Sequence, residues 1–158
     1  MKQLIAALCL FMGMTVSVQA QSLMEVAEQQ ADLSTFVTAV KAAELTDQLD
    51  GQDVTIFAPS NDAFAALQPG TLESLLMPEN KEQLVQILSY HIVPGKMNSV
   101  GLIAGTTPTV QGEEAQVTVT EDEVTFNNAS VITADVEAEN GVVHIIDQVV
   151  MPPSQLKN

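Results

Sequence analysis

The stretch that most constrains the fold runs from Val54 to Leu67 and reads VTIFAPSNDAFAAL. Its first half is a short apolar run that ends at a proline, a residue with no amide hydrogen to donate to a neighbouring strand. Ser60 follows, and a serine hydroxyl accepts hydrogen bonds from the free N–H groups at a helix start. Asp62 falls in the first turn, where negative charge is favoured, and Phe64 and Leu67 recur at helical spacing. We therefore predict that a buried strand ends here and a helix begins.

The N-terminus has the pattern of a secretory signal peptide. Lys2 supplies a positive charge, residues 4–14 are apolar, and Val18-Gln19-Ala20 fits the small-residue cleavage pattern. Cleavage after Ala20 leaves one domain, residues 21–158, and removes the only cysteine, Cys9. The apolar segment is shorter than the roughly 20 residues that span a bilayer. We expect secretion to the periplasm, the extracellular space or the cell surface, without stable membrane insertion.

The charge balance narrows the choice of partners. The full chain has 20 acidic residues against five lysines, no arginine, and a formal net charge of −15. A surface of this sign repels nucleic acid and anionic lipid, so we expect neither as a partner. An acidic coat that keeps the domain soluble accounts for most of this charge.

Helical periodicity dominates the first half of the domain. Apolar residues recur from Leu33 to Val40 behind Asp32, which is a candidate N-cap. Gly51 is then expected to take the positive φ that closes a helix or turn. Thr71 is positioned to cap a short helix, and a longer helix is predicted from Asn80 to His91. Asn80 and Gln83 have the spacing of a capping box.

Strand patterns dominate the second half. Residues 116–120 alternate between apolar and polar, and a turn separates them from residues 124–127, which predicts a hairpin. A second pair, residues 131–136 and 142–150, is joined through Asn140-Gly141, a dipeptide suited to a tight turn with positive φ. The predicted fold is therefore α+β, an antiparallel strand wedge or sandwich with helices packed around it.

Three separated segments resemble the signature motifs of fasciclin-type (FAS1) domains. They are TIFAPSNDAFAAL, the tyrosine–histidine motif at residues 90–95, and NGVVHIIDQVVMPP. The order of the segments matches the family and spans nearly all of the mature chain. The resemblance implies the FAS1 fold and a role as a secreted, non-enzymatic cell-adhesion module. Its structural signature positions are Ser60, Asn61, Asp62, Phe64, Asn140, Gly141, His144 and Asp147.

The resemblance also implies a partner-binding surface. Adhesion by animal members has been linked to the tyrosine–histidine motif, matched here by Tyr90 and His91, and to an Asp-Ile pair, where this chain has Asp135 and Val136. The expected partner is a protein or glycan at a cell surface or matrix, or another copy of the domain. The residues themselves favour another role for Tyr90 and His91, because both fit a buried face whose polar atoms are hydrogen-bonded within the core. His144 lies in an apolar strand and also fits the core.

No enzyme motif is evident. Residue types for a hydrolase are present, but His144 and Asp147 are three apart in a predicted strand and point to opposite faces. We expect no catalytic residue, no cofactor and no metal site. The alternative function is a carrier of a small apolar ligand, suggested by four scattered apolar side chains, namely Met77, Met97, Leu102 and Met151. Ordinary core packing also explains these residues.

Overall fold

A computed structural model describes residues 21–97, 101 and 104–155. The predicted signal peptide lies outside this part of the chain. The α-helices of the described residues are α1 Leu23–Gln29, α2 Ser34–Ala42, α3 Thr46–Asp50, α4 Asn61–Ala65, α5 Thr71–Leu75 and α6 Lys81–Tyr90. The β-strands are β1 Val54–Pro59, β2 Ile92–Pro94, β3 Gly105–Pro108, β4 Glu114–Val119, β5 Val124–Phe126, β6 Ala129–Ala138 and β7 Gly141–Ile146. Short 3-10 helices lie at Ala31–Leu33, Pro78–Asn80 and Pro153–Gln155.

The seven strands form one sheet in the order β2-β1-β7-β6-β5-β4-β3. Both predicted hairpins, β4–β5 and β6–β7, are present, and the α+β assignment is confirmed. The sheet is mixed rather than purely antiparallel, because β1 pairs with β7 in parallel from Val54–Gly141 to Pro59–Ile146. The two ends of the sheet also approach each other, since the Val110 N–H donates to the Ile92 carbonyl at 2.8 Å.

The parallel pair at the centre of the sheet is buried on both faces. Every residue of β1 and of β7 is buried, which explains why both read as continuous apolar runs. On one face, Ile56 and Val143 join the helices in a first core cluster. On the other face, Phe57 stacks on Phe126 with ring centroids 4.2 Å apart, at the centre of a second cluster. Strand β7 ends at Ile146, earlier than the predicted Val150.

Helix α2 is capped from a distance rather than by its own sequence neighbour. Asp32, the predicted cap, lies inside a 3-10 helix and caps nothing. Instead the Thr35 N–H donates to Asn61 Oδ1 at 3.0 Å, and Asn61 Nδ2 donates to the Ala31 carbonyl. The strand-to-helix corner predicted at Ser60 thus also fixes the start of α2.

Other local predictions need correction. Gly51 closes a helix, α3, but its φ of −89° is not the positive value expected. Thr71 is the first residue of α5 rather than its N-cap. The N-cap is Gly70, which has φ 86°. Asn80 precedes α6 as predicted but makes no side-chain cap, because its amide donates to Ser74. The predicted positive φ at Asn140-Gly141 is also wrong, because neither residue has one.

Candidate functional site

Tyr90 and His91 lie at the end of α6, where the two core clusters meet. The Tyr90 hydroxyl accepts a hydrogen bond from Asn127 Nδ2 at 2.7 Å and donates to the Glu114 carbonyl at 3.3 Å. The His91 carbonyl accepts from the Phe57 N–H at 2.9 Å. These bonds join α6 to β1, to β4 and to the β5–β6 turn, so the motif holds separate strands in place.

The His91 imidazole is fully buried and both of its nitrogens are used. Nε2 accepts from the Val150 N–H at 3.1 Å, so the ring proton is on Nδ1, which donates to the Ile87 carbonyl at 2.7 Å. Burial lowers the pKa of His91 to about 4, against the opposing effect of the bond to Ile87. His91 is therefore neutral near pH 7, and it ties the segment after β7 to helix α6.

The His144 ring also bonds to two backbone groups, but as the opposite tautomer. The Asp135 N–H donates to Nδ1 at 3.3 Å, so Nε2 carries the proton and donates to the Met97 carbonyl at 3.0 Å. The ring also stacks on Phe57 with centroids 5.2 Å apart. Burial lowers the pKa of His144, while the Met97 bond and the Asp135 charge act in the other direction.

The second signature motif joins distant backbone segments at Asn140. Its Oδ1 accepts from the Leu23 N–H at 3.1 Å, which supplements the capping box that Ser22 and Glu25 form at the start of α1. Its Nδ2 donates to the Leu49 carbonyl at the end of α3, and its backbone carbonyl accepts from the Val54 N–H. One side chain therefore holds two helices beside the central strand pair.

The remaining signature positions also serve the backbone or the core. Ser60 Oγ accepts from the Ala63 N–H at 3.2 Å, which confirms the predicted cap. Phe64 is buried in the first cluster, whereas Asp62 is exposed in the first turn of α4. Asp147 Oδ1 accepts from the Ser130 N–H at 2.8 Å and secures the start of β6 to the end of β7.

The side chains named as hydrolase candidates are not assembled for catalysis. His91 and His144 each use both ring nitrogens on backbone groups, so neither has a nitrogen left to take a proton from a nucleophile. Asp147 bonds to Ser130 rather than to His144. In the described part of the chain, no three His, Cys, Asp or Glu side chains are grouped as metal ligands would be. Within the same residues, no helix combines the length and apolar character needed to cross a membrane.

The structure separates the four residues proposed to bind a partner. Tyr90 and His91 are buried, with 1% and 0% of their surfaces exposed. Asp135 is exposed and Val136 half-buried in the irregular middle of β6, where the register with β7 shifts twice. Asp135 and Val136 therefore reach the surface of the domain, whereas Tyr90 and His91 lie beneath it.

Three of the residues suggested for an apolar carrier lie in different surroundings. Met77 is half exposed in the turn after α5, Met97 packs on the second cluster and Met151 on the first. Leu102 lies outside the described residues. A cleft of about 490 Å³ beside Tyr90 is lined largely by polar side chains, among them Gln116, Asn128 and Gln148. This cleft is therefore not the apolar cavity that a carrier of this kind would need.

Fold and site together define a small α+β domain whose signature side chains hold its own backbone together. The family model described as Fasciclin domain matches residues 31–152. Protein sll1483 of Synechocystis is 50% identical over 85% of this chain and 75% of its own length. The cell surface glycolipoprotein MPB83 of Mycobacterium bovis is 36% identical over 78% of this chain and 57% of its own length. The chain belongs to the Fasciclin domain family.

A solved structure agrees with this assignment at the level of the fold. The FAS1 domain pair of the insect cell adhesion molecule Fasciclin I superposes with a TM-score of 0.74 and 19% sequence identity. The match covers 85% of this chain and 52% of the domain pair. The FAS1 fold expected from the three sequence motifs is therefore confirmed.

Proposed function

We propose that the protein is a secreted, non-enzymatic interaction module of the adhesion type. The proposal rests on the contrast between buried side chains that bond to the backbone and exposed side chains on β6. The side chains of His91, His144 and Asn140 are hydrogen-bonded to backbone groups, whereas the middle of β6 presents exposed side chains. The similarity to a cell surface glycolipoprotein and to a cell adhesion molecule supports the same role.

A capture experiment tests this function. The purified mature domain, immobilised and exposed to native cell-envelope extract, is expected to retain a partner saturably and less strongly as salt is raised. Salt weakens contacts between exposed charges, and this domain is strongly acidic. Saturable turnover of an added substrate, with no partner retained and no self-association, would contradict the proposal.

We propose that the contact surface includes Asp135, and asparagine is the substitution that tests it best. Asp135 has φ 58°, a conformation that asparagine tolerates and alanine does not. Asp135→Asn removes the charge and is expected to weaken partner binding about threefold, the usual size for one exposed charge. Its melting temperature should stay close to that of the wild type. Binding by surface plasmon resonance and thermal denaturation measure the two effects.

Asp32→Asn is the matched control, because Asp32 is an exposed aspartate on the helical side of the domain and caps no helix. It should bind as the wild type does. Equal binding by Asp135→Asn and Asp32→Asn would remove the β6 surface around Asp135 from the proposed contact.

We also propose that export removes residues 1–20. The exported protein should begin at Gln21, because Val18-Gln19-Ala20 fits the cleavage pattern that follows the apolar stretch. Intact-mass spectrometry of the exported protein measures this directly. Recovery of a chain that retains Lys2 in the membrane fraction would contradict the proposed secretion.

A further inference from the structure

A groove lies between the β4–β5 turn and the middle of β6. Its volume is about 330 Å³. It is lined by apolar side chains, here termed the floor, and by the carboxylate residues of the turn, Glu121, Asp122 and Glu123, here termed the rim. The apolar side chains of this β6 groove are Val119, Val124, Val131, Ile132 and Ala134.

The groove follows the part of β6 that continues beyond its short pairing with β5. Strand β6 pairs with β7 along most of its length, but with β5 only at Thr125–Ser130 and Phe126–Ala129. Among the described residues, no strand accompanies the rest of β6 on the β5 side. The residues Ile132, Thr133 and Ala134 on this part of β6 are all exposed. An open strand edge of this kind accepts an extended segment of another chain.

The floor of the groove is apolar enough to contribute to binding. Val119, Val124 and Val131 are partly buried and pack on the second core cluster. Ile132 is 56% exposed, the most exposed large apolar side chain of the described residues. An apolar side chain placed against Ile132 would remove part of this surface from water, which is favourable.

The rim has a fixed shape and a single sign of charge. The Thr120 N–H and hydroxyl both donate to the Glu123 carbonyl, at 2.8 Å and 2.9 Å, so the turn is braced at its base. The Glu123 carboxylate accepts from the Ser130 hydroxyl. No lysine lines the groove. The described lysines are engaged elsewhere, Lys41 with Glu28, Lys81 with Glu44 and Lys96 with the Ala138 carbonyl.

We propose that the β6 groove docks an extended, basic segment of a partner protein, in which lysine or arginine side chains flank an apolar one. The apolar side chain contacts Ile132 and the valines, and the cationic side chains contact Glu121 and Asp122. A second copy of this chain is a poor occupant, because it brings the same acidic surface to the contact. The inference rests on the proposed interaction function and names the chemistry of the partner.

A synthetic peptide with one central isoleucine among lysines and threonines, KTKIKTK, is the probe. Fluorescence anisotropy should show that it binds the mature domain, more weakly at high salt, while the acidic counterpart ETEIETE does not bind. The variant Glu121→Gln with Asp122→Asn should lose about tenfold in affinity, as expected for two exposed charges. Ile132→Thr should weaken KTKIKTK but leave the affinity for KTKTKTK unchanged.

The control variant, Glu73→Gln with Glu79→Gln, makes the same change in net charge on exposed residues of α5 and of the 3-10 helix that follows it. It should bind KTKIKTK like the wild type. Equal losses in the groove variant and the control would show attraction by the whole acidic coat and overturn the groove proposal. A wild-type dimer that Ile132→Thr dissociates in analytical ultracentrifugation would also overturn it, since a second copy would then occupy the groove.

Capture from native envelope extract separates this inference from the proposed function. If the groove variant loses the captured partner while the control retains it, both stand. If both variants retain the partner, the interaction function stands and the groove proposal fails. If the groove binds KTKIKTK specifically but the extract yields no partner, the groove is a binding site and the proposed function fails.

Discussion

Replacing Gly141 by alanine is expected to prevent the domain from reaching its native fold. An alanine Cβ at this position would lie 1.9 Å from the Val54 carbonyl oxygen and 3.0 Å from Leu23 Cδ1. The oxygen belongs to the backbone of a buried strand, so relief requires β1 and β7 to separate at the start of their parallel pairing. We expect a loss of more than about 4 kcal/mol in the free energy of unfolding. Far-UV circular dichroism and urea denaturation measure it.

Gly112→Ala is the control for this experiment. Gly112 has φ +107° but nothing within 4 Å of an added Cβ, so alanine there brings backbone strain without a clash. It should cost about 1 kcal/mol. A Gly141→Ala domain as stable as the wild type would contradict the close contact between Val54 and Gly141.

Acid is expected to destabilise the domain through its buried histidines. Burial lowers the pKa of His91 to about 4, while in the unfolded chain the ring keeps its ordinary value of 6.5. Between these two pH values the unfolded chain binds more protons than the folded domain. The free energy of unfolding therefore decreases as pH falls from about 6.5 to 4, and His91 causes no further decrease below pH 4. The contribution of His91 is about 3 kcal/mol. His144, whose pKa is also lowered, acts in the same direction.

NMR of the two imidazole rings measures this effect separately from the carboxylates. At pH 5.5 the carbon shifts of the His91 ring should still be those of neutral histidine. At neutral pH, His91 should show the Nδ1–H tautomer and His144 the Nε2–H tautomer. Hydrogen bonds from Val150 and Asp135 to the unprotonated nitrogens would be lost on protonation. A His91 ring that titrates near pH 6.5 in the folded protein would contradict its burial.

Sequence patterns recovered those parts of the fold that depend on neighbours in the chain. The strand-to-helix corner at Ser60, helix α6 and both hairpins follow from periodicity, capping chemistry and turn residues within a few positions. The overall fold was predicted from the resemblance of three segments to the FAS1 motifs. Helix α1 was missed, although Ser22 and Glu25 form a capping box with recognisable spacing.

Features that depend on distant residues could not be predicted in this way. The cap of α2 comes from Asn61, and the parallel partner of β1 is a strand near the other end of the domain. The sequence pattern assigned Gly141 to a tight turn. The structure gives a different reason for glycine at this position, because the Val54 carbonyl oxygen leaves no room for a Cβ. The contact of Asp135 with His144 depends on an irregular register in β6 that no local pattern reveals.

The parallel pairing of β1 with β7 has a consequence for how the protein is made. Strand β1 is synthesised early, yet its longest pairing awaits a strand near the C-terminus. Contacts between residues so far apart form slowly, since a long loop must close before they are gained. The chain therefore cannot complete its core while its last third is still missing.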